Sequence, residues 1–212
     1  MATFLKKLWQ RESSPSQFPG IVKTSYTSRP VDIPETFLAP LSDPSSIKAK
    51  RIDFANTELS EYEDRHAIVL DDVLSKDECD QLIHMAEMSA GAHRDEESPD
   101  NNGWETALVN AGPGQEFHAP KYRNSERIIW DEHEVTRRLW QRVLQGEGMK
   151  EEMLTLHGEK YATVIGRTAF NHGQRWVATE QGINERMRFL KYSSGQFFRR
   201  TLTIHVFSMI VT

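Results

Sequence analysis

The sequence lacks several features that would assign it to a specialised class of protein. It has one cysteine, Cys79, so no disulfide can form within the chain, and a reducing compartment is favoured. No stretch approaches the roughly 18 apolar residues that a membrane-spanning helix needs, and the best run covers only residues 206–211. Lys6 and Lys7 interrupt the start of the chain, so no signal peptide is indicated. We therefore expect a soluble protein of the cytoplasm or nucleus, with no membrane partner.

Positive charge is also in deficit. The 26 lysines and arginines are outnumbered by 31 acidic residues, which gives a net charge of −5. A protein that binds nucleic acid by neutralising phosphates needs a basic surface, so we expect no nucleic-acid partner.

The length of 212 residues suits one domain with an extension, or at most two small domains.

The first 50 residues lack any sustained helical or strand periodicity. They contain six of the nine prolines and eight serines, and they offer little apolar surface to offset the entropy of ordering the chain. We predict that residues 1–50 are a flexible Pro/Ser-rich N-terminal segment, with a short helix at residues 3–10. A proline-rich recognition sequence is the alternative, although no PxxP repeat is present.

A strand followed by a helix is predicted after residue 65. Residues 66–70 are a short apolar run typical of a buried strand. Ser75 and Glu78 have the spacing of a capping box, which predicts the start of a helix that Gly91 ends. Its apolar face is expected to hold Leu82, Ile83, Met85 and Ala86.

The remainder of the chain mixes helix and strand patterns, so the predicted fold class is α+β. The pattern predicts an exposed loop at 93–102, a strand at 104–109, helices at 132–145 and 150–156, a strand at 181–192, a turn at 193–195 and a returning strand at 196–198.

Two histidines have an acidic residue two positions later, as a mononuclear iron site would require. They are His93, which precedes Asp95, and His157, which precedes Glu159. Chance alone should give about one such match among eight histidines, so neither is a signal.

Cys79 lies between two acidic residues, which should raise the pKa of its thiol and leave it unreactive.

Residues 186–200 read RMRFLKYSSGQFFRR. This stretch resembles the first core hairpin of the prolyl 4-hydroxylase-like dioxygenases that depend on Fe(II) and 2-oxoglutarate: an apolar strand ending in tyrosine, a glycine turn, an aromatic pair, and then His-x-Asp. Residues 123–127 resemble the family's Asn-x-x-Arg stretch, and Trp176 with residues 182–184 resembles its approach to the hairpin. The resemblance covers residues 65–200.

The resemblance implies a fold, a chemistry and a set of site residues. It implies an incomplete double-stranded β-helix, or jelly-roll, with supporting helices over residues 51–200. Tyr192 would hydrogen-bond 2-oxoglutarate, and Asn124 and Arg127 would line the mouth of the substrate site. The implied reaction hydroxylates a peptidyl proline or a small molecule, with Fe(II), 2-oxoglutarate and ascorbate as cofactors. A plain strand tyrosine at 192 and a surface cation at 127 remain open alternatives.

The chain departs from the family at the metal site. Thr201 and Thr203 occupy the positions of the family's His-x-Asp, and a neutral hydroxyl is a poor ligand for Fe(II). Because the sequence stops before a second histidine, we expect no metal ligands, no binding of these cofactors and no activity in this chain. The alternative is a non-catalytic pseudoenzyme or protein-interaction module that pairs through an exposed edge strand.

The last twelve residues, 201–212, form an atypical apolar tail without a charged residue. Such a composition is prone to β-aggregation when it is unpaired. Our hypothesis is that residues 201–212 are unrelated to the family and derive from a retained intron or a frameshift. A genuine edge strand is the alternative.

Overall fold

The computed structural model describes residues 20–90 and 103–199, in which helices and short antiparallel strands are mixed. The α+β class is therefore confirmed for this part of the chain. The strands are β1 Val22–Lys23, β2 Lys48–Arg51, β3 Ile68–Asp71, β4 Glu105–Thr106, β5 Val109–Gly112, β6 Gln115–Phe117, β7 Arg123–Asn124, β8 Glu126–Asp131, β9 Thr155–Leu156, β10 Trp176–Val177, β11 Arg186–Lys191 and β12 Phe197–Phe198. The α-helices are α1 Lys76–Ser89, α2 His133–Val143, α3 Met149–Met153, α4 Ala162–Ile165 and α5 Arg167–Asn171, with 3-10 turns at Pro44–Ser46, Phe54–Asn56, Ser60–Tyr62 and Glu159–Tyr161.

The central sheet has the order β11-β8-β4, and the hydrophobic core covers one of its faces. Side chains alternate along β8, so Ile128 and Trp130 point to one side, where they are 2% and 0% exposed. Residues of α1 and α2 pack in the same core. The two helices therefore lie against one face of the sheet and leave the other face for polar groups.

Helix α1 begins at the predicted capping box. The Ser75 hydroxyl accepts a hydrogen bond from the Glu78 amide, and the Glu78 carboxylate accepts one from the Ser75 amide. Leu82, Met85 and Ala86 are buried as predicted, whereas Ile83 is 43% exposed. The prediction for Ile83 was wrong because a helix turns by about 100° per residue, which places Ile83 outside the arc of about 100° that contains Met85, Leu82 and Ala86.

The helix predicted at 132–145 is present as α2. Its apolar stripe is buried and consists of Val135, Leu139, Trp140, Val143 and, directly after the helix, Leu144. The next predicted helix is shorter than expected, because α3 ends at Met153 and Thr155–Leu156 forms β9. In place of one strand at 104–109, the structure has β4 and β5, which pair with different partners, β8 and β6.

Part of the segment predicted to be flexible, residues 1–50, contributes to the core within residues 20–50. Phe37, Leu38 and Ile47 are at most 3% exposed and belong to the central core. Val22 pairs with Glu116, and the Arg29 amide donates to the Ser89 carbonyl at 2.9 Å. Isolated apolar residues on irregular backbone give no periodic signal, but they fill the core as effectively as a helix face does.

The hairpin predicted around residues 193–195 is also different in the structure. A turn is present, since the Gln196 amide donates to the Ser193 carbonyl at 2.9 Å and Gly195 has a φ of +80°. However, β12 does not return along β11. Lys191 pairs with Glu126 and Phe197 pairs with Asn124, so β11 and β12 lie in line beside one continuous stretch of β8 and β7. Residues 192–196 bulge out opposite the single residue Ser125.

None of the helices in residues 20–90 and 103–199 combines the length and apolar character needed to cross a membrane.

Candidate anion-binding site

The face of the central sheet opposite the helices carries charged side chains. Alternation along β8 places Arg127 and Asp131 on this face. In β11, Arg186 lies opposite Asp131, and Arg188 lies two residues further along on the same face. The Arg186 guanidinium donates to both carboxylate oxygens of Asp131, at 2.7 and 2.6 Å. We call this surface the polar face.

Arg127 is buried in the polar face, with an exposed fraction of 6%. Its guanidinium forms an ion pair with Glu116 and donates to the Tyr26 hydroxyl and, at 3.3 Å, to the Leu108 carbonyl. The Tyr26 ring also covers it, with 5.1 Å between the guanidinium carbon and the ring centroid. Tyr26 reaches this position because β1 pairs with β6, the strand that carries Glu116.

Burial and hydrogen bonding fix the charges of this network. Burial and the hydrogen bond to Glu116 raise the pKa of Tyr26 to about 12, so the phenol stays neutral and donates. Burial favours the neutral form of Glu116, but hydrogen bonds from Arg127 and Tyr26 outweigh it and lower the pKa of this carboxyl. Near neutral pH, Glu116 is therefore an anion held between a cation and a phenol.

Arg123 adds a second guanidinium to the same group. It donates to the Leu108 carbonyl at 3.3 Å and to the Ser125 hydroxyl at 3.4 Å, and it stacks on the Phe198 ring at 4.8 Å. Burial and the neighbouring charge of Arg127 lower the pKa of Arg123. The guanidinium groups of Arg123 and Arg127 both act on one carboxylate, that of Glu116, so this group of side chains carries excess positive charge.

Tyr192 and Arg188 both lie within electrostatic range of Arg123. The Tyr192 side chain is 45% exposed, and Arg188 is exposed. Among the described residues, Arg188 has no hydrogen-bond or ion-pair partner, whereas Arg186 is paired with Asp131. An accessible guanidinium and an accessible phenol beside a half-buried guanidinium can bind an anion, above all a carboxylate. We call Arg123, Arg188 and Tyr192 the anion cluster.

The structure separates the three residues that the resemblance assigned to one site. Tyr192 lies in the anion cluster. Arg127 lies beneath Tyr26, so it is neither at an open mouth nor a surface cation. Arg123 contacts Ser125, and alternation then points the exposed Asn124 towards the other side of the sheet. Asn124 and Arg127 therefore do not line one surface.

Sequence reasoning missed Arg123, Arg188, Tyr26 and Glu116. The alternating arginines at 123 and 127 and at 186 and 188 could have indicated a cationic sheet face. No local signal could have joined Tyr26 to Glu116, since 90 residues separate them in the chain.

The residues described do not fit an iron site. No group of three or more His, Cys, Asp or Glu side chains within residues 20–90 and 103–199 could hold a metal ion. His157 follows β9 rather than ending a helix, and it is exposed. His93, Thr201 and Thr203 lie outside the described residues, as does the tail 201–212.

Two surface cavities occur away from the anion cluster. One of about 430 Å³ lies beside the loop after α2, between Pro44 and Glu151, and one of about 350 Å³ lies between α2 and Glu180. Neither includes a residue of the anion cluster. Cys79 is half-buried, and burial followed by the charges of Asp80 and Glu78 raises its thiol pKa, the direction expected from the sequence.

Searches of protein-family models, of curated proteins and of solved structures found no match to this chain. The function must therefore be inferred from the residues and their geometry.

Proposed function

We propose that the described residues form the helix-backed N-terminal part of a prolyl 4-hydroxylase-like dioxygenase domain, and that the anion cluster binds 2-oxoglutarate. The observation that carries this proposal is the pair of guanidinium groups, Arg123 and Arg127, that share the Leu108 carbonyl, with the exposed Arg188 and Tyr192 within electrostatic range of Arg123. Tyr192 is the residue to which the family resemblance assigns 2-oxoglutarate. A dicarboxylate matches a cluster of two guanidinium groups and a phenol in charge and in hydrogen-bonding capacity.

Each member of the cluster has a separate role in binding. Arg188 is exposed and can swing onto a carboxylate, whereas Arg123 is held in place by Leu108, Ser125 and Phe198. The Tyr192 hydroxyl can donate to a carboxylate oxygen. The buried ion pair of Arg127 and Glu116 fixes the strand beneath them.

In the family, 2-oxoglutarate with Fe(II) drives hydroxylation of a peptidyl or small-molecule substrate, and ascorbate keeps the iron reduced. Because the described residues include no fitting iron site, no oxidative step is assigned to them. Binding at the anion cluster is expected to need no metal.

The second candidate function is a non-catalytic pseudoenzyme or interaction module. The absence of a metal-holding group within residues 20–90 and 103–199, together with threonine at 201 and 203, favours it. Both candidates include anion binding, and they differ in whether turnover follows.

Binding of 2-oxoglutarate to the full chain without metal tests the proposal. Saturation-transfer NMR should detect it, and Tyr192→Phe should weaken it about tenfold, because a hydrogen bond to a charged group contributes about 1.5–3 kcal/mol. Arg188→Gln should have a similar effect. Arg137→Gln is the matched control, since Arg137 is a half-exposed helix residue paired with Glu134. Equal binding by all four proteins, or none by the wild type, would contradict the proposal.

Turnover separates the two candidates. With Fe(II), ascorbate and dioxygen present, we expect the chain to form no succinate from 2-oxoglutarate above the protein-free rate. Succinate formation would identify an enzyme and exclude the pseudoenzyme.

A further inference from the structure

Strand β11 is a terminal strand of the central sheet. It pairs with β8 on one side, and no strand lies on its other side among residues 20–90 and 103–199. The Arg186 amide already donates to the Asn184 side-chain oxygen at 2.7 Å, and the remaining outward-facing main-chain groups pair with no strand in the described part of the chain. Six residues, Arg186–Lys191, are enough to form a pairing with another extended chain.

The charges on β11 do not protect this edge. Natural proteins commonly shield edge strands with charged side chains, prolines or bulges. Here Arg186 is paired with Asp131 and Lys191 with Glu126, at 2.6 and 3.5 Å, so both cations are directed back across β8. Arg188 has no such partner in the described part of the chain. The edge thus carries one exposed cation, Arg188, that lies within electrostatic range of Asp131 but forms no ion pair with it.

The two faces of β11 differ in the side chains they would present to an added strand. Met187 and Phe189 are half-buried and pack against the core. Arg188 lies on the polar face. Because a strand alternates its side chains, a complementary strand would place apolar residues beside Met187 and Phe189 and an acidic residue beside Arg188.

A second copy of the chain fits this edge poorly. Antiparallel pairing keeps directly opposite side chains on the same face, so two β11 strands paired about their centre would place Arg188 opposite the Arg188 of the other copy and Arg186 opposite Leu190. Like charges directly opposite each other destabilise a sheet.

We propose that the free edge of β11 binds an extended acidic peptide by strand addition, with an acidic side chain paired to Arg188 and apolar side chains extending the core face. The peptide would contribute main-chain hydrogen bonds for affinity, and its alternation of acidic and apolar residues would give specificity. This proposal does not depend on 2-oxoglutarate binding.

The test uses the full chain and a fluorescein-labelled peptide of about ten residues in which valine and glutamate alternate. Fluorescence anisotropy should show binding at protein concentrations up to about 100 μM, and a valine–lysine peptide should not bind. Methylation of alternate backbone nitrogens along one edge of the valine–glutamate peptide should weaken binding at least tenfold, because it removes the main-chain donors but keeps every charge.

Arg188→Glu should reverse the preference between the two peptides. Arg188 is exposed, so this variant should fold, and circular dichroism checks that it does. Failure of the valine–glutamate peptide to bind would overturn the proposal. Binding that is unaffected by backbone methylation and is displaced by 2-oxoglutarate would also overturn it, since it would mark simple attraction to the anion cluster. Self-association that the peptide abolishes would identify a second copy as the occupant.

Discussion

Gly182 lies where the chain passes directly over the indole ring of Trp140. A Cβ atom at residue 182 would be 2.3 Å from the nearest indole carbons, and the backbone has a φ of +71°. Trp140 itself is 4% exposed and is held by the surrounding core. Both the close approach and the left-handed backbone therefore require glycine.

Gly182→Ala should destabilise the protein more than a glycine replacement that meets no obstacle. Gly173 is the matched control, since its φ is +66° and its surroundings are open within 4 Å. Gly173→Ala should cost about 1–2 kcal/mol from backbone strain alone. Gly182→Ala should add about 1–3 kcal/mol from overpacking against Trp140. Urea denaturation measures both, and equal losses would contradict the close approach.

Arg127 shows how much burial alters the role of a single charged residue. From the sequence it was expected at the mouth of a site, with a surface cation as the alternative. The structure instead surrounds it with Glu116, Tyr26 and the Leu108 carbonyl. A charge without these partners could not be buried, because desolvation of an ion costs several kcal/mol. The partners come from distant parts of the chain, so the sequence could not predict the burial.

At the scale of elements, Arg142 joins the end of α2 to the start of α1. Its side chain is 2% exposed and donates to the Glu78 carboxylate at 2.9 Å and to the Val73 carbonyl at 3.1 Å. Glu78 is also the acidic member of the capping box. Burial would raise the pKa of Glu78, but hydrogen bonds from Arg142 and Ser75 outweigh it and lower this pKa. One buried cation thus links the end of α2 to the start of α1.

Arg142→Met should lower the free energy of unfolding by about 3–5 kcal/mol, because it leaves Glu78 and buried carbonyl groups without their donor. Arg137→Met on the same helix is the control, since Arg137 is 51% exposed and its ion pair should contribute less than about 1 kcal/mol. Chemical denaturation checks both. A loss in Arg142→Met no larger than that in the control would show that the link is not structural.

The capping box and the apolar stripe of α2 could be predicted because they depend on residues three or four positions apart. The strands were harder to predict. Residues 197–198 were expected to return along β11, yet they pair with β7, because pairing depends on which strand lies alongside rather than on local sequence. The same reason explains why residues 104–109 divide between β4 and β5.

At the scale of the whole molecule, His66 connects the start of β3 to the region around α3. Its side chain is 11% exposed, and its Nε2 atom lies 3.4 Å from a Glu152 carboxylate oxygen. Neither ring nitrogen has a hydrogen-bond partner in the described residues. Burial lowers the pKa of His66, and the positive charges of Arg51 and Lys160 lower it further. The negative charge of Glu152 acts in the opposite direction but does not outweigh them. The Tyr161 ring, 5.0 Å away edge to face, completes its surroundings.

This burial should make the fold less stable in mild acid. Because the pKa of His66 is lower in the folded state, the unfolded chain takes up the proton first, so the contribution to stability is full above about pH 6.5 and falls as pH decreases below it. The melting temperature of the wild type should fall between pH 7 and pH 5, and His66→Gln should flatten this dependence.

His84→Gln provides the control for this prediction, since His84 is an exposed residue of α1. It should leave the pH dependence of the melting temperature unchanged. Identical pH profiles for the wild type and His66→Gln would show that His66 does not contribute. The window above pH 5 keeps the paired carboxylates Glu78, Glu116 and Glu152 ionised, because their pKa values are lowered from 4.5.

The sequence by itself determined the α+β class, the two main helices with their buried stripes, and the start of the first of these helices at its capping box. These features depend on residues that lie a few positions apart, so a short stretch of sequence is enough to predict them. Only the tertiary structure decided that parts of residues 20–50 enter the core, that β11 and β12 share one partner stretch, and that Arg127 is buried against Glu116 and Tyr26. Those outcomes depend on contacts between residues far apart in the chain, where the free energy of packing and charge pairing outweighs local preference.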